Sequence, residues 1–159
     1  MRRFLCIIIL ICLLLSGCHF ARERIKDPVT FYYVSNDFQE TLTDVITSEL
    51  REASGHTNDL SYLMALYLMG PVEEDNRSPI PRGTRIYVVQ NDASGVVLKL
   101  FDTPIRMTDA QFSLACACLS LTCLELTDAD TITISNENRS VTMTADTILL
   151  FDSTIKETQ

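Results

Sequence analysis

The chain has 159 residues, of which 13 are basic and 21 acidic, for a formal net charge of −8, and 47% are hydrophobic. That length suits a single domain with a sizeable core, and the acidic balance argues against nucleic acid as a partner. No Trp, no long run of like charges, no low-complexity segment and no internal repeat interrupt the chain, which excludes solenoids and polyelectrolyte tails.

At the amino terminus, Arg2 and Arg3 precede an apolar run from Phe4 to Leu15, followed by Ser16, Gly17 and Cys18. The run has the length of a secretory h-region and falls short of the roughly 20 residues a spanning helix needs. Leu15-Ser16-Gly17-Cys18 resembles the bacterial lipobox, in which the Cys thiol takes a diacylglyceryl group and cleavage makes it the new amino terminus. Arg2-Arg3 alone is a poor match to a twin-arginine export signal. The expected division is therefore a leader over 1–17, a lipidated terminus and polar spacer over 18–28, a domain over 29–151 and a fraying tail over 152–159. Removing residues 1–17 from 159 leaves 142, with 11 basic against 21 acidic residues, a formal −10. A body so negative is repelled by an anionic leaflet, so the membrane is reached through the lipid on Cys18, on the outer face of the cell membrane.

Val29 to Val34, β-branched and aromatic and closed by Ser35-Asn36-Asp37, predicts a first strand. Leu42 to Arg51 fits two patterns: Leu42, Val45, Ile46 and Leu50 suit a helical face, while Val45-Ile46-Thr47 favours a strand. An amphipathic helix is expected from Asn58-Asp59, capped by Asn58 or Thr57, with Leu60, Leu63, Met64, Tyr67 and Leu68 on one face. Gly70 and Pro71 stop it, the Gly suited to a left-handed position and the Pro unable to continue the ladder. Pro79 and Pro81 extend the chain, and Gly83 lets it turn into Thr84.

Thr84 to Gln90 and Val96 to Phe101 read as a hairpin with a five-residue loop over Asn91 to Gly95. Thr108, with Gln111 three residues on, is a capping box for a second helix, apolar on nearly every side from Phe112 to Leu124. Thr131 to Ser135 and Ser140 to Thr144 form a second hairpin, and Thr147 to Phe151 extends to a further strand.

Candidate chemistry is sparse. His19 and His56 are expected in loops, without a local nucleophile or acid, and no catalytic signature stands in the chain. Cys116, Cys118 and Cys123 cannot pair on a regular helix, and C-x-C-x₄-C lacks the paired spacing of a zinc site, so they read as small core residues. Glu73, Glu74 and Asp75, with Asp92, Asp128 and Asp130 elsewhere, lack the order of a calcium loop and read as solvated acids. No metal and no cofactor is expected.

The series of strand, helix ending in Leu68-Met69-Gly70-Pro71, acidic loop, Ser78-Pro79-Ile80-Pro81-Arg82-Gly83-Thr84, hairpin, capped apolar helix and closing strands resembles the GerMN domain, the sporulation and spore germination module of bacterial lipoproteins. The resemblance spans roughly Val29 to Phe151 and is most specific at Gly70, Pro71, Pro81, Gly83 and Thr84. It implies an α+β fold in β-β-α-β-β-α-β-β order, an antiparallel or mixed sheet of five to six strands packed against two helices, and a strand over the ambiguous 42–51. It also implies a non-enzymatic envelope module that supports assembly of the channel complex between mother cell and forespore. The protein that names the family carries two such domains in tandem, and this chain has room for one.

The expected function is therefore a tethered binding or scaffold domain engaging an envelope protein, with Val72 to Arg77 as the exposed part of the hinge and Glu73, Glu74 and Asp75 as its contact residues. The alternative is an envelope enzyme or small-ligand-binding lipoprotein acting on cell-wall glycan through two dispersed carboxylates.

Overall fold

The computed structural model describes residues 25–36, 45–101 and 107–147. The leader, Cys18, most of the spacer, the tail over 152–159 and all but Thr147 of the expected last strand lie outside the described residues. Thr147 itself belongs to a helical turn whose start is held by Thr144, its Oγ1 accepting from the Thr147 amide at 3.3 Å.

The elements run β1 (Pro28–Ser35), β2 (Ile46–Glu52), α1 (Leu60–Leu68), β3 (Asn76–Arg77), β4 (Arg85–Asp92), β5 (Gly95–Phe101), α2 (Asp109–Leu126), β6 (Thr131–Ser135) and β7 (Ser140–Thr144). The fold is α+β in the expected order, with one further short strand, β3, inside the hinge. The strands form two sheets where a single one was expected: three strands ordered β2-β1-β3, and four ordered β4-β5-β6-β7.

β1 and β2 pair antiparallel from Pro28 opposite Glu52 to Val34 opposite Ile46, which settles the ambiguous segment as a strand from residue 46. Alternation in β1 drives Phe31 and Tyr33 fully inside, and Val34 follows them. β4 and β5 form the expected hairpin with a tighter connection. Asn91 pairs with Val96 and Asp92 with Gly95, so the loop is Ala93-Ser94 and not five residues. The Asp92 carboxylate closes it by accepting from the Ser94 amide at 2.8 Å and hydroxyl at 2.6 Å. Gly95 packs so closely on β6 that a Cβ there would stand 2.7 Å from the Thr131 carbonyl. β5 and β6 run parallel through the α2 crossover, and β6 and β7 close the sheet antiparallel around Asn136 to Arg139, as expected.

Both helices begin on side-chain caps. Asp59 caps α1, its carboxylate accepting from the Tyr62 amide at 3.0 Å, so the cap falls one residue later than expected. Thr108 and Gln111 form the expected capping box on α2. Arg139, reaching from the β6–β7 turn, donates to Asp109 at 2.6 Å and to the Met107 carbonyl at 2.9 Å, with its guanidinium 4.4 Å over the Phe112 ring.

By length and composition α2 would suffice to cross a membrane. In this fold it packs on β1 of one sheet and on β6 and β7 of the other, and no residue from Leu114 to Leu124 is fully exposed. One continuous core joins both sheets and both helices, from Phe31, Tyr33 and Tyr67 at one end to Leu98, Ile132 and Ile134 at the other. The rings of Tyr33 and Tyr67 stack at 4.8 Å, with Phe31 edge-on to Tyr67 at 5.6 Å.

Candidate functional site

The hinge between α1 and β4 is built from local chain chemistry first. Gly70 adopts φ +86 and its amide bonds the Tyr67 carbonyl at 3.0 Å, the inner bond of a helix-ending turn. The outer bond of that turn would come from the next amide, which Pro71 lacks, so the chain leaves the helix at once. Farther on, Ser78 Oγ accepts from the Ile80 amide at 3.2 Å, and the Thr84 amide reaches the Pro81 carbonyl at 3.3 Å across Gly83, whose φ is +88. The five motif residues Gly70, Pro71, Pro81, Gly83 and Thr84 are thus all part of the turn geometry. Thr84 is buried, with no hydrogen-bond partner for its Oγ1 among the described residues.

What shapes the acidic loop is a residue 24 positions earlier. Glu49 of β2 is 3% exposed, and its carboxylate accepts from the Val72 amide at 2.9 Å, the Glu73 amide at 3.1 Å and Asn76 Nδ2 at 3.2 Å. Successive backbone amides wrapped on a carboxylate form a nest, a concavity of partial positive charge. Arg51, on the same face of β2, donates to Glu49 at 3.3 Å and to the Gly70 carbonyl at 2.8 Å, so the pair grips the loop at both ends of its first turn. Asn36 holds the far side, donating from its side chain to the Glu74 carbonyl and from its amide to the Asp75 carbonyl, each at 2.8 Å. β3 then adds Asn76 and Arg77 to the edge of β1.

The result is a rigid loop that displays Glu73, Glu74 and Asp75 to solvent, as expected, with Met69 and Val72 exposed beside them at 78% and 72%. Asn76, expected among the exposed hinge residues, is instead buried, because its side chain serves Glu49. The three acids do not gather with Asp92, Asp128 or Asp130, and no group of His, Cys, Asp or Glu that could hold a metal occurs among the described residues. Sequence reasoning missed Glu49 and Arg51. The signal for them was a Glu-x-Arg pair sharing one face of a strand, visible only once 46–52 is known to be that strand.

The remaining candidates fall where inert roles predict. Cys116, Cys118 and Cys123 are free and buried, and burial pushes each thiol up to about 12, far from the thiolate needed for metal binding or attack. Burial likewise raises the Tyr33 and Tyr67 phenols. His56 sits in the loop before α1, stacked on Tyr62 at 4.2 Å. His19 and the lipid-site Cys18 lie outside the described residues.

No protein-family model matches the chain, and no curated protein matches it. Among solved structures it is similar to a 2.5 Å crystal structure of a Clostridium perfringens protein provisionally described as a lipoprotein. The two share 14% identity over 80% of this chain and 93% of the other, with a TM-score of 0.40.

Proposed function

We propose that this chain is a lipid-anchored extracytoplasmic binding module of GerMN type, held on the outer face of the cell membrane by Cys18, which engages an envelope protein through its hinge loop. The observation that carries the reading is the pairing of a complete lipobox with a domain whose first strand begins at Pro28, ten residues after Cys18. A spacer that short keeps the module against the membrane. The hinge supports the binding half of the reading, because Glu49, Arg51 and Asn36 spend their hydrogen bonds on holding loop backbone, which presets a charged surface at low ordering cost. The GerMN resemblance extends the proposal to spore-envelope assembly.

Replacing Cys18 with Ala and following the protein by fractionation and by incorporation of an alkyne-tagged fatty acid tests the anchor. The expected outcome is release from the membrane and loss of label. A Cys18→Ala protein that stays membrane-bound overturns it. Induction of the protein on entry into sporulation would support the envelope-assembly extension, and expression confined to vegetative growth would oppose it.

A further inference from the structure

The face of the four-stranded sheet that lies away from the helices carries a feature unlike the rest of this acidic chain. Alternation sends Ile86, Val88, Leu98 and Leu100 toward the core and leaves Arg85, Tyr87, Lys99 and Phe101 on the opposite side of β4 and β5. Tyr87 and Phe101 meet edge-on at 5.1 Å, the Lys99 ammonium lies 4.9 Å over the Phe101 ring, and the Arg85 guanidinium 6.0 Å over Tyr87. Tyr87 and Val89 stand 48% and 63% exposed. No element of the described residues covers this face.

The hinge loop is its complement in charge and in apolar character. It offers three carboxylates beside two of the most exposed large apolar side chains described, Met69 and Val72, and none of the three acids has a basic partner among the described residues. We infer that the outer face of β4 and β5 receives the hinge loop of a second copy of this chain, its carboxylates against Lys99, and Met69 and Val72 against Tyr87 and Val89. The contact is heterologous: the loop of one copy meets the sheet of the next, so a bound pair keeps one free loop on one copy and one free face on the other, and the association propagates head to tail. Copies tethered in one membrane meet at high effective concentration, so a contact too weak to persist in solution suffices. The inference rests on the proposed tethered module and names its partner.

The test uses the full chain in intact membranes, two differently tagged copies expressed together, one carrying Val72→Cys and the other Val89→Cys, with a short thiol-reactive crosslinker. The native thiols of the core are buried and silent. The expected result is a mixed crosslinked pair, with Val72→Cys alone giving none. Lys99→Glu on the Val89→Cys copy lowers the yield about fivefold, the upper range for an exposed charge pair, and Glu74→Lys on the partner copy restores it. A mixed pair that fails to form, a yield indifferent to Lys99→Glu, or equal linking of Val72→Cys to itself overturns the inference. Capture of a different protein from Val72→Cys also overturns it while leaving the tethered-module reading intact. That reading fails separately if Cys18→Ala remains on the membrane.

Discussion

At the scale of single residues, Glu49 decides the shape of the hinge. A buried carboxylate is costly to desolvate, and its pairing with Arg51 alone would not offset that cost. Two loop amides and the Asn76 side chain replace the lost water, so the charge is held in place by dipoles, and Asn76 Nδ2 also reaches the Glu73 carboxylate at 3.4 Å. Glu49→Ala would take the acceptor from two part-buried loop amides, leave Asn76 Nδ2 with the Glu73 carboxylate, and leave the Arg51 charge on the Gly70 carbonyl. The expected loss is about 3 kcal/mol of stability, read from urea denaturation, with faster amide exchange at Val72 and Glu73. Unchanged stability and unchanged exchange would show that the loop holds its shape without Glu49. Gly70 has a different role: nothing lies within 4 Å of the Cβ it lacks, so its contribution is the left-handed φ and not room for a neighbour.

Between elements, the instructive contact lies along the edge of β1 that β2 does not use. Only Val34 and Ser35 pair with β3 on that side, so among the described residues Tyr32, paired with Ser48 of β2 on its other edge, has no strand partner there. Its amide donates to Thr122 Oγ1 of α2 at 3.0 Å, and its carbonyl accepts from the Tyr67 hydroxyl of α1 at 2.9 Å. The two helices thus complete the edge with side chains. Thr122→Val, nearly isosteric, is expected to cost about 1–2 kcal/mol in a denaturation midpoint, whereas Thr122→Ser stays near wild type. Equal effects from the two would mean that methyl packing, not the hydrogen bond, is what Thr122 provides. This contact also marks how far a sequence can be read. The capping box at Thr108, the hinge glycines and the β6–β7 turn were legible because their chemistry is complete within a few residues. Thr122, a polar residue in an apolar helix, and Glu49, one acid among 21, carry no such local sign, because each acts on a segment far along the chain. The β4–β5 loop was overestimated for a related reason: Asn91 and Asp92 are turn formers by type, yet Asp92 closes the turn from inside the ladder.

For the molecule as a whole, the buried acids of the core set its behaviour in base. The thiols of Cys116, Cys118 and Cys123 keep their protons up to about 12 in the fold, against an ordinary value of 9.0. Between those limits the unfolded chain binds fewer protons than the folded one, so stability falls as pH rises. The slope approaches about 1.4 kcal/mol per pH unit for each thiol that ionises on unfolding, and the raised Tyr33 and Tyr67 phenols act in the same sense. Urea midpoints under reducing conditions should therefore drop steadily from pH 8.5 upward, and Cys123→Ala should flatten the slope; a midpoint constant to pH 10.5 would contradict the assignment. The completed edge of β1 bears on how the chain comes to be folded at all. A chain emerging amino terminus first presents β1 and β2 early, while Tyr67 and then Thr122 arrive 35 and 90 residues after Tyr32. Until α2 is in place that strand carries open backbone groups beside an aromatic core, the kind of surface that invites pairing with another chain. If Cys18 is acylated as proposed, the chain would be anchored to the membrane during this interval, and the tether that gathers finished copies would gather unfinished ones as well, so the open edge of β1 is most exposed to pairing there.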